Sequence, residues 1–293
     1  MKYLLLLLLA VVTMAGCSKE PGRSDSEVAE PFCLVFTSYN NHKVITWVND
    51  EPALVCDDVW TGYNKPPWLT FQKGSNRIHF TAKRLPKEVT AVFDNVSGVL
   101  TEDGVSKFMN DGTTTVKIIK GPVFQPEDLF TWKATKDSET SPTWTVNCTT
   151  YFRPGLEEFD NIETVDEKTK QQIADFLAKL RQALETKDVS SVGLRESDVK
   201  SIARAVGMPF SGFDAVFGMD HYEATVCPID KLKIIHGKKT ILVYCPNGDP
   251  IYRASRSADT PMENGKMYPM LASDVLYFVK KHGKLEPLWP KMY

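Results

Sequence analysis

The chain of 293 residues is short of the features by which most activities announce themselves. Its five histidines stand singly, and its six cysteines make neither a C-x-x-C pair nor a Cys/His spacing, so no metal site is expected. No G-x-S-x-G nucleophile elbow occurs. Lysine and arginine (35) are offset by aspartate and glutamate (37), for a formal charge of −2 and an isoelectric point near 6.2. The two signs are interspersed, whereas a nucleic-acid binder carries a basic stripe, so nucleic acid is not an expected partner. Asp57-Asp58 and Glu157-Glu158 lie in no calcium-ligand series and read as solvated charge. Nothing points to a cofactor. Beyond the first residues there is no second long apolar run.

What is present starts at the N-terminus. Lys2 supplies positive charge, Leu4 to Val12 an apolar run, and Met14-Ala15-Gly16-Cys17 a small-residue end, the three-part layout of a secretory signal peptide. The run is shorter than the about 20 residues a spanning helix needs. Met14-Ala15-Gly16-Cys17 resembles the bacterial lipobox, with Met where Leu or Val is commoner. The resemblance implies cleavage before Cys17, diacylation of its sulfur and acylation of the new amine. Cys17 would then hold a lipoprotein on the membrane through palmitate-type chains, and two or three such chains anchor stably. An ordinary signal peptide with an incidental cysteine, or an uncleaved anchor, are the other readings. Ser18 after the cysteine favours the outer membrane if the cell has two. Ser18 to Glu30 is polar and charged, a tether without core-forming residues.

Two grammars follow. The expected organisation is a signal peptide (1–16), lipidated cysteine and tether (17–30), an all-β sandwich (31–152), a linker (153–163) and an α+β domain (164–293) with helices packed on a curved antiparallel sheet. In the first, Cys33–Tyr39, Lys43–Asn49, Arg77–Lys83, Glu88–Asp94, Thr114–Lys120 and Thr143–Thr149 read as short strands separated by turn residues. Val48-Asn49-Asp50-Glu51-Pro52 resembles a strand running through a turn into the next strand. Lys73 to Phe80 (KGSNRIHF) resembles the strand entry of sugar-binding-like jelly rolls.

In the second, Thr164 to Glu167 fits a capping box with Thr164 as the cap. Ile173, Phe176, Leu177, Leu180 and Leu184 then recur on one helical face. A second helix is expected from Ser197, ended by Gly207 and Pro209. Strands are expected at Glu223–Cys227, Leu232–His236, Thr240–Cys245, Asp249–Ser255, Asp274–Lys281 and Lys284–Trp289. Asn247-Gly248 reads as a hairpin turn pairing Cys245 with Pro250 and Tyr244 with Ile251, and His282-Gly283 as the last turn. The helix end LETKD (Leu184 to Asp188), NGDPIYRA (Asn247 to Ala254) and VLYFVKKHGKLEPLW (Val275 to Trp289) together resemble the cone-shaped superfamily of nuclear transport factor two and ketosteroid isomerase.

That resemblance implies a bent sheet covered by helices, and in its enzymes an acid, Tyr or His inside the cone. Asp220, His221, Tyr244, Tyr252 and Tyr277 are the residues to examine, though no local motif marks the isomerase pair. Trp60, Tyr63 and Trp68 lie in DDVWTGYNKPPW (Asp57 to Trp68), read as a loop, where they either roof the core or offer flat faces to a sugar ring or partner. With Cys17 lipidated, five cysteines remain. Cys227 with Cys245, across a turn at Gly237-Lys238, and Cys33 with Cys148 are possible bridges among several connectivities, leaving Cys56. The expected role is binding or scaffolding at the cell envelope, of a glycan or an envelope protein. The alternative is a small-molecule isomerase or dehydratase using a pocket in the C-terminal domain.

Overall fold

The computed structural model describes residues 32–37, 42–56, 63–65, 72–85, 113–120, 127–148, 155–205, 211–246, 250–257 and 269–289, with backbone alone at 32–37, 63–65, 118–120, 127–128, 147–148 and 201–205. Within them the chain is mostly antiparallel β-sheet with three α-helices, the β-rich character the sequence predicts.

The N-terminal strands are β1 (Phe32–Thr37), β2 (His42–Val48), β3 (Glu51–Cys56), β4 (Tyr63–Lys65), β5 (Gly74–Arg84), β6 (Thr114–Lys120), β7 (Glu127–Ala134), β8 (Ser138–Thr140) and β9 (Trp144–Cys148). They make one sheet in the order β4-β1-β6-β7 and another in the order β3-β2-β5-β8, with β9 also on β5. Alternation decides what is buried, because successive side chains in a strand point to opposite faces. Val44 and Val48 of β2 and Ile78, Phe80 and Ala82 of β5 turn inward to meet Val116, Trp132 and Ala134 of the other sheet. Phe80 stacks on Trp132 with ring centroids 5.9 Å apart.

Two expectations about this half change. Tyr63–Lys65, read as loop, pairs as a strand with Leu34–Phe36. β7 and β8 are additional strands, β3 is the strand that the Val48–Pro52 pattern places after the turn, and Glu88–Asp94 lies outside the described residues. Asn49 and Asp50 (φ 53° and 67°) turn β2 into β3, the left-handed pair of a type I′ hairpin.

The C-terminal elements are α1 (Glu167–Glu185), α2 (Glu196–Ala205), α3 (Phe213–Phe217), β10 (Tyr222–Val226), β11 (Lys233–His236), β12 (Thr240–Tyr244), β13 (Tyr252–Arg256), β14 (Leu271–Ser273), β15 (Val275–Lys281) and β16 (Lys284–Pro287). The cap of α1 is Asp166, not Thr164: its Oδ1 accepts from the Thr169 amide (2.8 Å) and hydroxyl (2.5 Å). That hydroxyl and amide hold the carboxyl below its usual range. The capping residue must be extended with its oxygen reaching a first-turn N–H, and Asp166 meets both needs two residues later than expected. The apolar face holds: Ile173, Leu177, Leu180 and Leu184 are buried and Phe176 half-buried. Each buried leucine or isoleucine contributes about 2 kcal/mol. Gly207 and Pro209 lie outside the described residues.

The strands divide into β10-β13-β14 and β11-β12-β15-β16. This overturns the strand pairing expected across Asn247-Gly248, two residues that themselves lie outside the described ones. Tyr244 pairs with Lys233 on one side and Val275 on the other, so β12 has no open edge left for Ile251. The chain instead crosses to the other sheet, where β13 lies between β10 and β14. The turn between β11 and β12 is also shifted by one residue: Gly237 N–H donates to Thr240 O, leaving Lys238-Lys239 at the tip. His282-Gly283 does turn β15 into β16.

β12 is buried along its whole length. Ile241 and Val243 face α1, together with Leu276 and Phe278 of β15 and Trp289. Leu242 and Tyr244 face the other way, with Tyr277 and Val279, against Leu156, Phe159, Leu288 and Val55 of β3. This sheet is therefore a middle layer. A strand covered on both faces reads as a continuous apolar run, as TILVY does. The segment read as a linker supplies part of the cover, with Leu156, Phe159 and Ile162 all buried.

Candidate functional site

The polar centre of the described structure lies where β3 meets β11 and β12. Glu51, the first residue after the Asn49-Asp50 turn, is 3% exposed. Its Oε1 accepts from the Lys239 amide (2.9 Å), and its Oε2 from the Thr240 amide (2.9 Å) and Thr240 Oγ1 (2.7 Å). A buried carboxylate is tolerated when its lone pairs are met, and three charge-assisted bonds meet them here. Gly237 allows the approach: a Cβ there would stand 2.2 Å from Glu51 Oε2 and 2.8 Å from Asp50 O.

Beside this clamp, β3 carries a bulge. Trp47 pairs with Pro52 and Thr46 with Leu54, so Ala53 is the extra residue. Its carbonyl, turned out of the ladder, accepts the Tyr277 hydroxyl. Pro52, which has no N–H to give, is accommodated because β3 is an edge strand of its sheet. The Lys43 ammonium donates to the Tyr244 hydroxyl and sits 4.8 Å from that ring's centroid. Lys239 Nζ donates to Phe159 O (2.5 Å), and Ile162 N to Lys238 O (2.8 Å). What this arrangement does chemically is fix one half of the chain on the other.

The five residues that the resemblance offers for proton transfer fall into three separate places. Tyr244 and Tyr277 face β3, with their hydroxyls engaged as above. Tyr252 faces α1 instead, its ring centroid 6.3 Å from that of Trp289. Burial pushes the Tyr252 and Tyr277 hydroxyls well above the usual phenol range, so both stay protonated. Asp220 and His221 are exposed in the turn before β10, with His221 at φ 57°. Tyr252 lies at the far end of that strand, opposite Val226. The space between α1 and the sheet is filled by Leu180, Leu184, Phe278 and Trp289.

Trp60, Trp68 and Cys17 lie outside the described residues, and Tyr63 is described in its backbone only. Cys33 and Cys148 are likewise backbone positions, Cys33 opposite Ile119 in one sheet and Cys148 opposite Gly74 in the other. Cys227 and Cys245 are brought together, their sulfurs 3.7 Å apart. They meet where β10 and β12 end, not across the β11–β12 turn. Both line an open groove of about 640 Å³ with Val226, Pro228, Lys231, Pro246, Pro250 and Arg253. Among the described residues no cluster of three His, Cys, Asp or Glu is placed to hold a metal.

Two polar centres of the N-terminal half had little sequence signal. Asn76, fully buried, accepts from Gln72 N and Asn49 Nδ2 (2.8 Å each) and donates to Gln72 O (2.8 Å) and Gly74 O (3.0 Å). The G-x-N entry to β5 is thus held by one amide with every valence used. His42, also fully buried, joins β2 to β6 through Thr114 Oγ1 (3.0 Å) and reaches Lys136 O (2.7 Å). A carbonyl only accepts, so Nε2 carries the proton and Nδ1 accepts from Thr114. Burial holds this imidazole below its usual pKa. Glu51 itself carried no local signal, since its partners stand 188 and 189 residues further along.

No protein-family profile, no curated protein and no solved structure matches the chain.

Proposed function

We propose that this chain is a bacterial lipoprotein anchored at the cell envelope through lipid on Cys17, and that it works by binding or scaffolding rather than by catalysis. Its N-terminal half is a β-sandwich, and its C-terminal half an α+β unit related to the cone-shaped superfamily of nuclear transport factor two. The ligand is a glycan or an envelope protein, met through Trp60, Tyr63 and Trp68.

The observation that carries the non-enzymatic reading is the commitment of the polar groups. A proton-transfer site needs an acid, a base and a donor converging on one cavity. Here Tyr244 and Tyr277 are engaged with the N-terminal half, Tyr252 is packed on the opposite face, and Asp220 and His221 lie in solvent. Aromatic rings fill the interior that a substrate would need. Such a body suits holding a partner more than turning over a small molecule.

Two measurements test this. Cells fed a clickable palmitate analogue should label the wild-type chain and not Cys17→Ala; equal labelling would remove the anchor. The acyl-free chain should retain a defined glycan or one envelope protein, at least tenfold less for Trp60→Ala. Turnover of an isomerase or dehydratase substrate that survives Trp60→Ala and is lost in Tyr252→Phe would establish the enzymatic alternative instead.

A further inference from the structure

We propose that Cys227 and Cys245 are an oxidative modification site that closes to an intrachain disulfide, tying the end of β10 to the end of β12. The two strands belong to different sheets. Cys227 directly follows Val226 and is fixed by its amide, which donates to Ile251 O at 2.7 Å. Cys245 directly follows Tyr244, whose strand is locked between β11 and β15. Both backbones are therefore held, and they present sulfurs 3.7 Å apart. A disulfide needs about 2.05 Å. The difference is under about 2 Å, within the reach of rotation about the Cα–Cβ bonds.

The groove explains how the reaction proceeds. Cys227 is half-buried, whereas Cys245 is 6% exposed, so an incoming disulfide meets Cys227 first. The oxidant is a small disulfide of the glutathione type, whose carboxylates face Lys231 and Arg253 on the groove wall. The Cys227 thiolate attacks one sulfur of the oxidant, forming a mixed disulfide and releasing one thiolate. The Cys245 thiolate then attacks the Cys227 sulfur and releases the second. Two cysteine thiols lose two protons and two electrons; the oxidant gains both and leaves as two thiols. The bridge closes a loop of about 17 residues, long enough to restrict the unfolded chain appreciably. This inference rests on geometry alone and stands whether or not Cys17 carries lipid.

The test uses the purified acyl-free chain in glutathione buffers from reducing to oxidising. Oxidation should lower the intact mass by about 2 Da, two hydrogens, and digestion should yield one linked peptide joining Cys227 to Cys245. Cys245→Ser should instead trap glutathione on Cys227, and Cys227→Ser should trap much less on Cys245. The wild-type Tm should be roughly 5 °C higher oxidised than reduced, a comparison that needs no substitution. The proposal is overturned if both thiols remain alkylatable in the oxidising buffer, or if either sulfur is recovered bonded to Cys33, Cys56 or Cys148.

Discussion

Replacing Glu51 tests whether the two halves form one cooperative unit. In Glu51→Ala, the Lys239 amide, the Thr240 amide and the Thr240 hydroxyl all lose their acceptor. The hydroxyl can rotate to another partner, but the two amides belong to a turn held against β3. Hydrogen bonds to a charged group contribute about 1.5–3 kcal/mol each, while relaxation and water entering the gap return part of that. The expected loss is about 3–5 kcal/mol, a large fraction of a typical total of about 5–15 kcal/mol. Glu51→Gln should lose less, about 2 kcal/mol, because its oxygen can serve Thr240 while its NH₂ faces the Lys239 amide. The assay is urea unfolding of the acyl-free chain, followed by tryptophan fluorescence and far-ultraviolet circular dichroism. Five of the six tryptophans belong to the first half and Trp289 to the second, so fluorescence is weighted to the first half, while helix α1 dominates the dichroism of the second. Wild type should give coincident transitions, and Glu51→Ala two separated ones. Losses under about 1 kcal/mol with coincident transitions would refute the clamp, because an acceptor with that little effect is solvated.

Gly237→Ala attacks the same contact from the other side. Its Cβ would meet Glu51 Oε2, the Asp50 carbonyl and Pro52, and should cost about 2–3 kcal/mol in the same urea assay. Asn76→Ala should cost about 2 kcal/mol, since the Gln72 amide and the Gln72 and Gly74 carbonyls lose Asn76 as a partner while water reaches these exposed residues and offsets part of the loss; a shift under about 0.5 kcal/mol would mean the turn holds without it. His42 gives a pH signature. Its folded pKa lies below the ordinary 6.5, so the unfolded chain takes up the proton first. Its stabilising contribution is complete above about pH 6.5 and declines as pH falls from there through the folded value, by up to about 1.4 kcal/mol per pH unit. His79, also lowered mainly by burial, acts in the same sense. Glu139 and Asp166 are shifted down from carboxylate values, so their losses come at lower pH. His42→Gln should therefore reduce the slope of the stability profile just below about pH 6.5; an unchanged slope there would place the titration elsewhere.

Legibility followed the range of the interactions. The apolar stripe of α1 and the turns at Asn49-Asp50 and His282-Gly283 are set by neighbours within a few residues, and each was readable. β3 was announced only as the strand after a turn, because Pro52 and the bulge at Ala53 break its alternation. The pairing that Asn247-Gly248 predicts is prevented from outside the segment, because both edges of β12 are taken by β11 and β15. Tyr244, Tyr252 and Tyr277 all stand on strands. Which face each occupies is decided by the sheet, and the residues that meet Tyr277 and Tyr244 are Ala53 and Lys43, some two hundred positions earlier. The proximity of Cys227 and Cys245 was anticipated, though it arises from two sheets meeting and not from a hairpin.

The middle-layer sheet has a practical consequence for dissecting the protein. A cut at residue 164, where a composition-based boundary falls, would strip Leu156, Phe159 and Val55 from the face formed by Leu242, Tyr244, Tyr277 and Val279. The C-terminal fragment would then carry a bare apolar patch, and the N-terminal fragment an uncovered edge strand with a glutamate that has lost its amides. Fragments made that way should self-associate. A fragment that keeps this face covered must hold β3 and β12 together.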